Sequence, residues 1–231
     1  MNKNEHNSPI SRRDIHADTT KRHLEEITKE FRDGFEFLKK YPKSVTIYGS
    51  ARSKHDTKEY KFAEELGSRI AKELNYAVVT GGGPGVMEAA HKGAHEAGGQ
   101  AVALGISLPH EDNTNIYATD RLQFTYFFSR KTMLAFAAEA YVFFPGGFGT
   151  FDELFGTLTL IQTRKIPSVP VILIGSYFWN DLANFINKKM LEQQESIASY
   201  DRDIFKITDD IDQVIDMIRL APVSDWWRNI N

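Results

Sequence analysis

The sequence predicts an α/β protein of the Rossmann-like type, a doubly wound parallel sheet with helices on both faces and an added N-terminal helix. Short apolar runs without polar alternation recur along the chain, as is typical of strands buried on both faces of a sheet. Amphipathic segments of helical spacing separate these runs. Glycine clusters at 81–85 and 146–149 follow two of them. Strands and helices that alternate in this way indicate a parallel sheet covered on both sides.

The predicted elements begin with an amphipathic helix that starts at Thr19 or Thr20 and ends before Pro42. Its apolar stripe needs a partner, either the core or another subunit. Strands are predicted at 45–48, 77–80, 101–104, 122–124, 141–144 and 169–174. Helices are predicted at 58–74, 86–97, 129–138, 150–162, 179–190 and 211–220. We expect residues 1–18 to be a disordered leader, 19–231 to be a single nucleotide-binding domain, and Trp226-Trp227 to anchor the tail.

Composition excludes several classes of function. The 231 residues include no cysteine, which rules out disulfides, thiolate metal sites and a cysteine nucleophile. The formal net charge is -3, with 28 basic and 31 acidic residues and no long run of one sign, so we expect no nucleic-acid partner. No apolar stretch approaches the roughly 20 residues of a membrane span. The N-terminus also lacks a signal-peptide core. These features predict no membrane partner and a cytoplasmic location.

Two glycine-rich loops follow predicted strands and open predicted helices, at residues 81–85 and at 146–149 followed by Thr150. In open α/β sheets, ligands bind beyond the carboxyl ends of the strands, where the strand order reverses. Free N–H groups and the helix dipole favour an anion there. We therefore expect backbone amides and the Thr150 hydroxyl to bind a phosphate or a ribose. The alternative is a pair of tight turns in which glycine only permits a positive φ.

Neither loop matches the two common nucleotide motifs. No Lys-Ser or Lys-Thr pair closes either loop, so neither is a Walker A sequence. The dinucleotide fingerprint lacks its third glycine, because Val86 stands there. The next strand also ends at 104–107 without a carboxylate for a ribose diol. A nucleotide-dependent oxidoreductase is therefore the weaker alternative.

Glu153, three residues after Thr150, is open to two interpretations. It fits a capping box, in which its carboxylate reaches back to the Thr150 amide. It equally fits a carboxylate one turn from a bound phosphate, placed to activate water or to move a leaving-group proton. Glu88, in the first turn after the other glycine loop, has the same ambiguity.

Arg130 is predicted near the start of a helix, where a cation opposes the dipole slightly. An arginine there suits an anionic ligand, because its bidentate donors hold phosphate or ribose better than a lysine does. Arg52, after the first strand, is a second candidate of this kind. His91 and His95 have the spacing of two metal ligands on a helix, but Lys92 stands where the motif has glutamate and no third ligand is evident. We expect exposed helix histidines and no metal site.

The chain contains the motifs Gly81-Gly82-Gly83-Pro84-Gly85-Val86-Met87-Glu88, Ser129-Arg130-Lys131-x-Met133 and Pro145-Gly146-Gly147-x-Gly149-Thr150-x-x-Glu153. Together they resemble the LOG ("lonely guy") family of nucleoside 5′-monophosphate phosphoribohydrolases, many of whose members were once labelled lysine decarboxylases. The resemblance covers about 45–220. The long N-terminal helix and the loop at 108–117 resemble the larger bacterial branch of that family.

The resemblance implies hydrolysis of the N-glycosidic bond of a nucleoside 5′-monophosphate, AMP or a cytokinin riboside monophosphate, to a free base and ribose 5-phosphate. Arg130 and Glu153 would be the catalytic pair. The substrate-binding residues would be Gly146, Gly147, Gly149 and Thr150 at the phosphate, Gly82, Gly83 and Glu88 near the ribose and base, and Ser50, Arg52 and Lys131. No cofactor or metal is implied. Members of the family form dimers with sites near the interface, so we expect a homodimer or higher homo-oligomer.

A non-catalytic nucleotide-binding or molybdenum-cofactor carrier protein of the same architecture is the main alternative. Such a protein would keep the glycine loops but need not retain Arg130 and Glu153 together. Their joint presence therefore favours the enzyme. The decarboxylase label is chemically unattractive, since no lysine stands in a persuasive setting for pyridoxal phosphate.

Overall fold

The structure is a computed structural model that describes residues 17–107 and 115–222. The strands are β1 (Ser44–Tyr48), β2 (Ala77–Thr80), β3 (Ala101–Ile106), β4 (Asp120–Phe124), β5 (Ala140–Phe143), β6 (Val171–Leu173) and β7 (Phe205–Ile207). The helices are α1 (Ala17–Leu38), α2 (Lys58–Arg69), α3 (Val86–Glu96), α4 (Phe127–Phe136), α5 (Phe148–Gln162), α6 (Ser176–Phe185) and α7 (Ile211–Arg219). Helices α2 and α6 continue as π-helical turns over Ile70–Leu74 and Ile186–Gln193, and a 3₁₀ helix spans Asp201–Ile204.

The strands form one seven-stranded sheet in the order β4-β3-β2-β1-β5-β6-β7. Each neighbouring pair is parallel. The chain builds outward from β1 to β4 and then returns to the opposite side of β1 with β5. The strand order therefore reverses between β1 and β5, and the crevice beyond their carboxyl ends is where open α/β sheets bind ligands. The predicted doubly wound parallel sheet is confirmed.

Helices cover both faces of the sheet, each over its own apolar cluster. One cluster packs α2, α3 and α7 against the strands, and the other packs α1, α4, α5 and α6 against the opposite face. The stripe of α1 meets the core through aromatic contacts, because Phe31 stacks on Phe128 at 6.5 Å between ring centroids and Phe35 meets Phe136 edge-on at 5.6 Å. The core is thus the partner that the predicted N-terminal helix needed.

Several boundaries differ from the predictions. β7 was not predicted, because Phe205-Lys206-Ile207 is too short for its alternation to stand out. Helix α4 begins at Phe127 instead of Ser129, and α5 begins at Phe148 instead of Thr150. Both differences change the position of a site residue within its helix.

The structure describes only part of the two predicted ends of the chain. Residues 1–16 of the predicted leader and the tail with Trp226-Trp227 lie outside the described residues, whereas residues 17–18 already belong to α1. No helix within the described ranges is long and apolar enough to cross a membrane.

Candidate active site

Three loops meet at the carboxyl ends of β1, β2 and β5. The backbone N–H of Ser50 donates to the carbonyl of Pro145 at 3.1 Å, and the carbonyl of Ser50 accepts from the N–H of Val86 at 3.1 Å. Gly85 has a φ of 71°, and a Cβ there would collide with the Ser50 carbonyl. Ser50 therefore joins the two glycine loops, which the sequence separates by some sixty positions, into one crevice.

The loop after β5 leaves the start of α5 open. Gly147 is the N-cap of α5 and no described side chain caps the helix, so its first N–H groups lack helical acceptors. A Cβ added at Gly147 or at Gly149 would meet no described atom within 4 Å. Packing among the described residues therefore does not require glycine at these two positions. Gly146 is different, since a Cβ there would collide with the side chain of Thr150.

The capping-box interpretation of Thr150 and Glu153 is wrong. Because α5 begins at Phe148, Thr150 is its third residue instead of its N-cap. The Thr150 side chain is buried over Gly146, and its hydroxyl makes no hydrogen bond to any residue that the structure describes. The nearest cation to Glu153 is Lys131, whose Nζ lies 3.5 Å from Oε2.

Arg130 enters the crevice from the first turns of α4. Its Nε donates to the carbonyl of Leu104 in β3 at 2.7 Å. A Cβ on Gly81 would collide with Nη2 of Arg130, so the absence of a side chain at Gly81 admits the guanidinium. Burial lowers the pKa of Arg130, and the charge of Glu153 opposes that shift. An arginine keeps its charge under such a shift, so the crevice holds a fixed cation.

Glu153 is a mostly buried carboxylate flanked by two cations. Its side chain is 13% exposed. Burial raises its pKa, while the positive charges of Lys131 and Arg130 act to lower it. Lys131 is held in place by Asp152, to whose side chain it donates at 2.6 Å and to whose carbonyl it donates at 2.8 Å. Such a carboxylate can accept a proton from water and can stabilise a positive charge that develops beside it.

Tyr48 belongs to the same neighbourhood and was not singled out from the sequence. Its ring stacks on Phe143 at 4.6 Å, and its hydroxyl is buried without a hydrogen-bond partner among residues 17–107 and 115–222. Burial and the charge of Glu153 raise the pKa of Tyr48, and the charge of Arg130 lowers it. The phenol therefore lies near both members of the predicted pair. The only sequence signal was a hydroxyl at the end of an apolar strand.

Gly82 and Gly83 are held by Asn115, a residue without a predicted role. The backbone N–H of Asn115 donates to the Gly82 carbonyl at 2.8 Å. Its side-chain amide donates to the carbonyls of Gly82 and Gly83 at 3.0 and 3.2 Å. His91 lies beside Asn115 and is completely buried, so its prediction as an exposed histidine is wrong, whereas His95 is exposed as expected.

Glu88 and Arg52 lie apart from the contacts that link Arg130, Lys131 and Glu153. Glu88 accepts a hydrogen bond from the Tyr60 hydroxyl at 3.0 Å, and Nε2 of His55 lies 3.6 Å from the same carboxylate. The rings of His55 and Tyr60 stack at 4.4 Å. Arg52 is exposed, and it forms no ion pair with any residue in the described ranges. Glu88 thus has protein partners, while the Arg52 guanidinium is available to a ligand.

An apolar groove of about 680 Å³ lies between α4 and α5, next to Lys131 and Glu153. Aromatic side chains line much of it, namely Phe136, Phe148, Phe151 and Phe155. Phe148 is 98% exposed although it stands in the first turn of α5. The candidate active site therefore opens beside an exposed hydrophobic surface.

The sequence is similar to a known protein family and to several named proteins. The family model described as "Possible lysine decarboxylase" matches residues 87–218. A cytokinin riboside 5′-monophosphate phosphoribohydrolase of Rhodococcoides fascians is 27% identical over 185 residues, 77% of this chain and 90% of that protein. The Arabidopsis thaliana phosphoribohydrolase LOG2 is 30% identical over 153 residues, 64% of this chain and 70% of its own.

Among solved structures, the molybdenum cofactor carrier protein of Chlamydomonas reinhardtii is similar with a TM-score of 0.55 and 25% identity, covering 77% of this chain and 96% of that one. A carrier protein thus has a fold similar to that of this chain. Since the family model spans more than half of the sequence, and the two phosphoribohydrolases align over most of their own length, the chain belongs to the LOG family.

Proposed function

We propose that this protein hydrolyses the N-glycosidic bond of a nucleoside 5′-monophosphate, AMP or a cytokinin riboside monophosphate, to a free base and ribose 5-phosphate. The observation that carries the proposal is the mostly buried Glu153 carboxylate, held near Arg130 and Lys131 in the crevice where the strand order reverses. The names of the related phosphoribohydrolases support the same reaction.

The start of α5 supports the phosphate site of this proposal. Its free N–H groups and the positive end of the helix dipole favour an anion. The Thr150 hydroxyl adds a donor, and the space above Gly147 and Gly149 lets a phosphate approach the backbone. In this proposal Ser50 and the exposed Arg52 bound the phosphate from the β1 side.

Glu153 and Arg130 divide the chemistry between them. Breaking the bond between C1′ and the base nitrogen builds oxocarbenium character at C1′, as in other glycoside hydrolyses. The Glu153 carboxylate stabilises that positive charge and accepts a proton from the attacking water, whose oxygen bonds to C1′. The departing base takes the electron pair of the broken bond and receives the proton that Glu153 accepted, so it leaves as a neutral molecule and the carboxylate is restored. Arg130 holds a ribose hydroxyl or the phosphate and so fixes the geometry of attack.

A molybdenum-cofactor carrier is the second candidate, because a carrier protein has this architecture. A carrier requires the glycine loops but no buried base. Burial raises the pKa of Glu153, and two nearby cations keep the carboxyl group ionisable. A hydrolase uses such a group as a base, whereas a carrier does not need one. This feature favours the enzyme.

The exposed aromatic surface on α4 and α5 supports a further part of the proposal, a homodimer. Phe148 and Phe155, two of the aromatic side chains that line the groove beside Glu153, are exposed. Soluble monomers rarely leave a large apolar groove of this kind uncovered. A second copy of this chain would cover the groove beside Glu153 and exclude water from the site. Sedimentation velocity of the wild type and of Phe148→Asp tests this assembly: we expect a dimer and a monomer, and a monomeric wild type at micromolar concentration would contradict it.

The hydrolase proposal is tested by incubating the protein with AMP, a cytokinin riboside monophosphate and the other common monophosphates, and measuring free base and ribose 5-phosphate. Loss of a general base commonly costs about 10² to 10⁴ in rate, so Glu153→Gln should lose at least about 100-fold. Glu192→Gln, which alters an exposed glutamate on another helical segment, is the matched control and should retain full activity. Release of no base from any substrate by the wild type would refute the proposal. Tight binding of a molybdopterin in that case would favour the carrier.

A further inference from the structure

A buried polar cluster forms hydrogen bonds to the glycine loop at residues 81–85. It consists of Thr80 at the end of β2, His91 in α3 and Asn115. Nε2 of His91 lies 3.1 Å from the carbonyl of Val102 in β3 and 3.0 Å from Oγ1 of Thr80. Nδ1 of His91 lies 3.1 Å from Nδ2 of Asn115. The cluster thus ties two neighbouring strands and a helix to the residue that holds the loop.

The hydrogen-bond partners determine the protonation of His91. A carbonyl oxygen only accepts, so the proton is on Nε2, which donates to Val102. Nδ1 is then an acceptor: it lies 3.1 Å from Nδ2 of Asn115, which donates to it, and 3.3 Å from Oδ1 of the same side chain. Burial lowers the pKa of His91 to about 4, and no charged side chain contributes to that shift. At neutral pH, His91 is therefore a neutral ring with one fixed tautomer, which orients Asn115.

Asn115 in turn determines how the loop presents its peptide groups. It donates to the Gly82 carbonyl from both its backbone and its side chain, and to the Gly83 carbonyl from its side chain. The Gly82 N–H donates to Thr80 at 2.9 Å, and Gly82 has a φ of 77° that favours glycine. Both carbonyl oxygens are thereby bound. The N–H of Gly83 has no acceptor within the described part of the chain.

We propose that Asn115, oriented by the neutral ring of His91, is a positioning residue that locks the peptide groups of Gly82 and Gly83 in the conformation that receives the nucleotide. This inference rests on the proposed function. A carbonyl oxygen turned toward an oxygen that only accepts, such as the ribose ring oxygen or a phosphate oxygen, would repel it, whereas a free N–H attracts it. We call Asn115 with His91 the clamp. It keeps the carbonyls of Gly82 and Gly83 hydrogen-bonded before the ligand arrives, so binding does not have to reorganise the loop.

If the cluster of Thr80, His91 and Asn115 had only a structural role, apolar side chains could take its place, since most of the surrounding buried residues are apolar. A buried polar network is stabilising only when each member is satisfied, and it then specifies one arrangement of its parts. Here both ring nitrogens of His91 have a partner, and the two hydrogens of the Asn115 amide are shared among three acceptors, the Gly82 and Gly83 carbonyls and Nδ1 of His91. The arrangement that the network specifies is the conformation of the glycine loop.

The test compares Asn115→Ala and Asn115→Asp with the wild type in nucleotide hydrolysis. Aspartate keeps the shape of the side chain but, when ionised, lacks N–H donors, which separates loss of the clamp from creation of a cavity. We expect either variant to raise KM at least about tenfold and to lower kcat by less than about threefold, because the loop must be ordered upon binding. His91→Phe should act in the same direction. His95→Phe, one turn further along α3 and exposed, should leave both constants unchanged.

Amide hydrogen exchange supplies a readout that does not depend on activity. In Asn115→Ala, the N–H of Gly82 should exchange at least about tenfold faster than in the wild type, while amides in the core of β1 should not change. Nitrogen-15 spectra of the wild-type imidazole should show the Nε2–H tautomer of His91 down to a pH of about 4.

The two proposals fail in different ways. If the wild type hydrolyses nucleotides but the Asn115 variants match His95→Phe in KM, the clamp is refuted and the hydrolase stands. If the wild type hydrolyses no nucleotide, the hydrolase is refuted, and unchanged exchange at Gly82 in Asn115→Ala would refute the clamp as well. Faster exchange at Gly82 would then still support the locking of the loop.

Discussion

Lys131 Nζ lies 3.5 Å from Oε2 of Glu153 while it donates to Asp152. A Cβ on Gly156 would stand 2.9 Å from Cε of Lys131, so α5 carries a glycine where the lysine side chain crosses it. Lys131 is thus placed to lower the pKa of the mostly buried Glu153 carboxylate. The relationship leads directly to a pH dependence.

Activity should fall in acid as Glu153 becomes protonated, because a base must be ionised to accept a proton. Burial raises the pKa of Glu153, so the acidic limb of kcat/KM should lie above the ordinary range for a glutamate. Lys131→Met removes a cation that lowers this pKa, and it should move the limb to higher pH. The measurement is a pH–rate profile with AMP for both proteins. An acidic limb that does not move in Lys131→Met would contradict the contact as a determinant of the Glu153 pKa.

Glu153→Gln should be more stable than the wild type at neutral pH. The folded-state pKa of Glu153 is raised, so its contribution to stability is present below the unfolded-state pKa and is lost as pH rises through the folded-state pKa. Glutamine has no such proton to lose. Urea denaturation from acidic to neutral pH should therefore show an advantage for the variant that grows with pH and vanishes in acid. A variant less stable than the wild type at neutral pH would show that the carboxylate stabilises the fold.

Gly149→Ala should separate binding from folding. A Cβ at Gly149 meets no described atom, and alanine is the better helix former by up to about 1 kcal/mol, so the free energy of unfolding should stay equal or rise. KM for the nucleotide should rise about tenfold, because the methyl group occupies the space proposed for the phosphate. The contrasting variant is Gly146→Ala, which collides with Thr150 and should lose about 1 to 3 kcal/mol of stability. An unchanged KM in Gly149→Ala would place the phosphate elsewhere.

Tyr48→Phe should stabilise the protein by about 1 kcal/mol, because it removes a buried hydroxyl that has no partner in the described ranges. The matched control is Tyr141→Phe, since the buried Tyr141 hydroxyl donates to the Ala135 carbonyl and its loss should lower stability by about 1 kcal/mol. Urea denaturation of the two variants measures both changes. A loss of stability in Tyr48→Phe would mean that the hydroxyl is satisfied in the folded protein.

Much of the site could be predicted from the sequence because its residues lie in compact motifs next to strand ends. The motifs point to Arg130, Lys131 and Glu153, and the structure brings the three side chains into one neighbourhood. The error over the capping box has a local cause. The sequence Thr-x-x-Glu matches a helix start at Thr150, but the helix begins two residues earlier at Phe148, and Gly147 takes the N-cap position.

The sequence by itself determined the α/β class, the alternation of strands and helices, and the glycine loops at strand ends, because these depend on periodicity and on neighbours along the chain. Only the tertiary structure decided which groups are buried and what they touch. His91 and Asn115 are 24 residues apart, and Asn115 and Gly82 are 33 apart. No periodic pattern encodes such pairs. Their contacts arise because the sheet brings distant strand ends together. The Val102 carbonyl then determines which nitrogen of His91 carries its proton, and burial raises the pKa of Glu153.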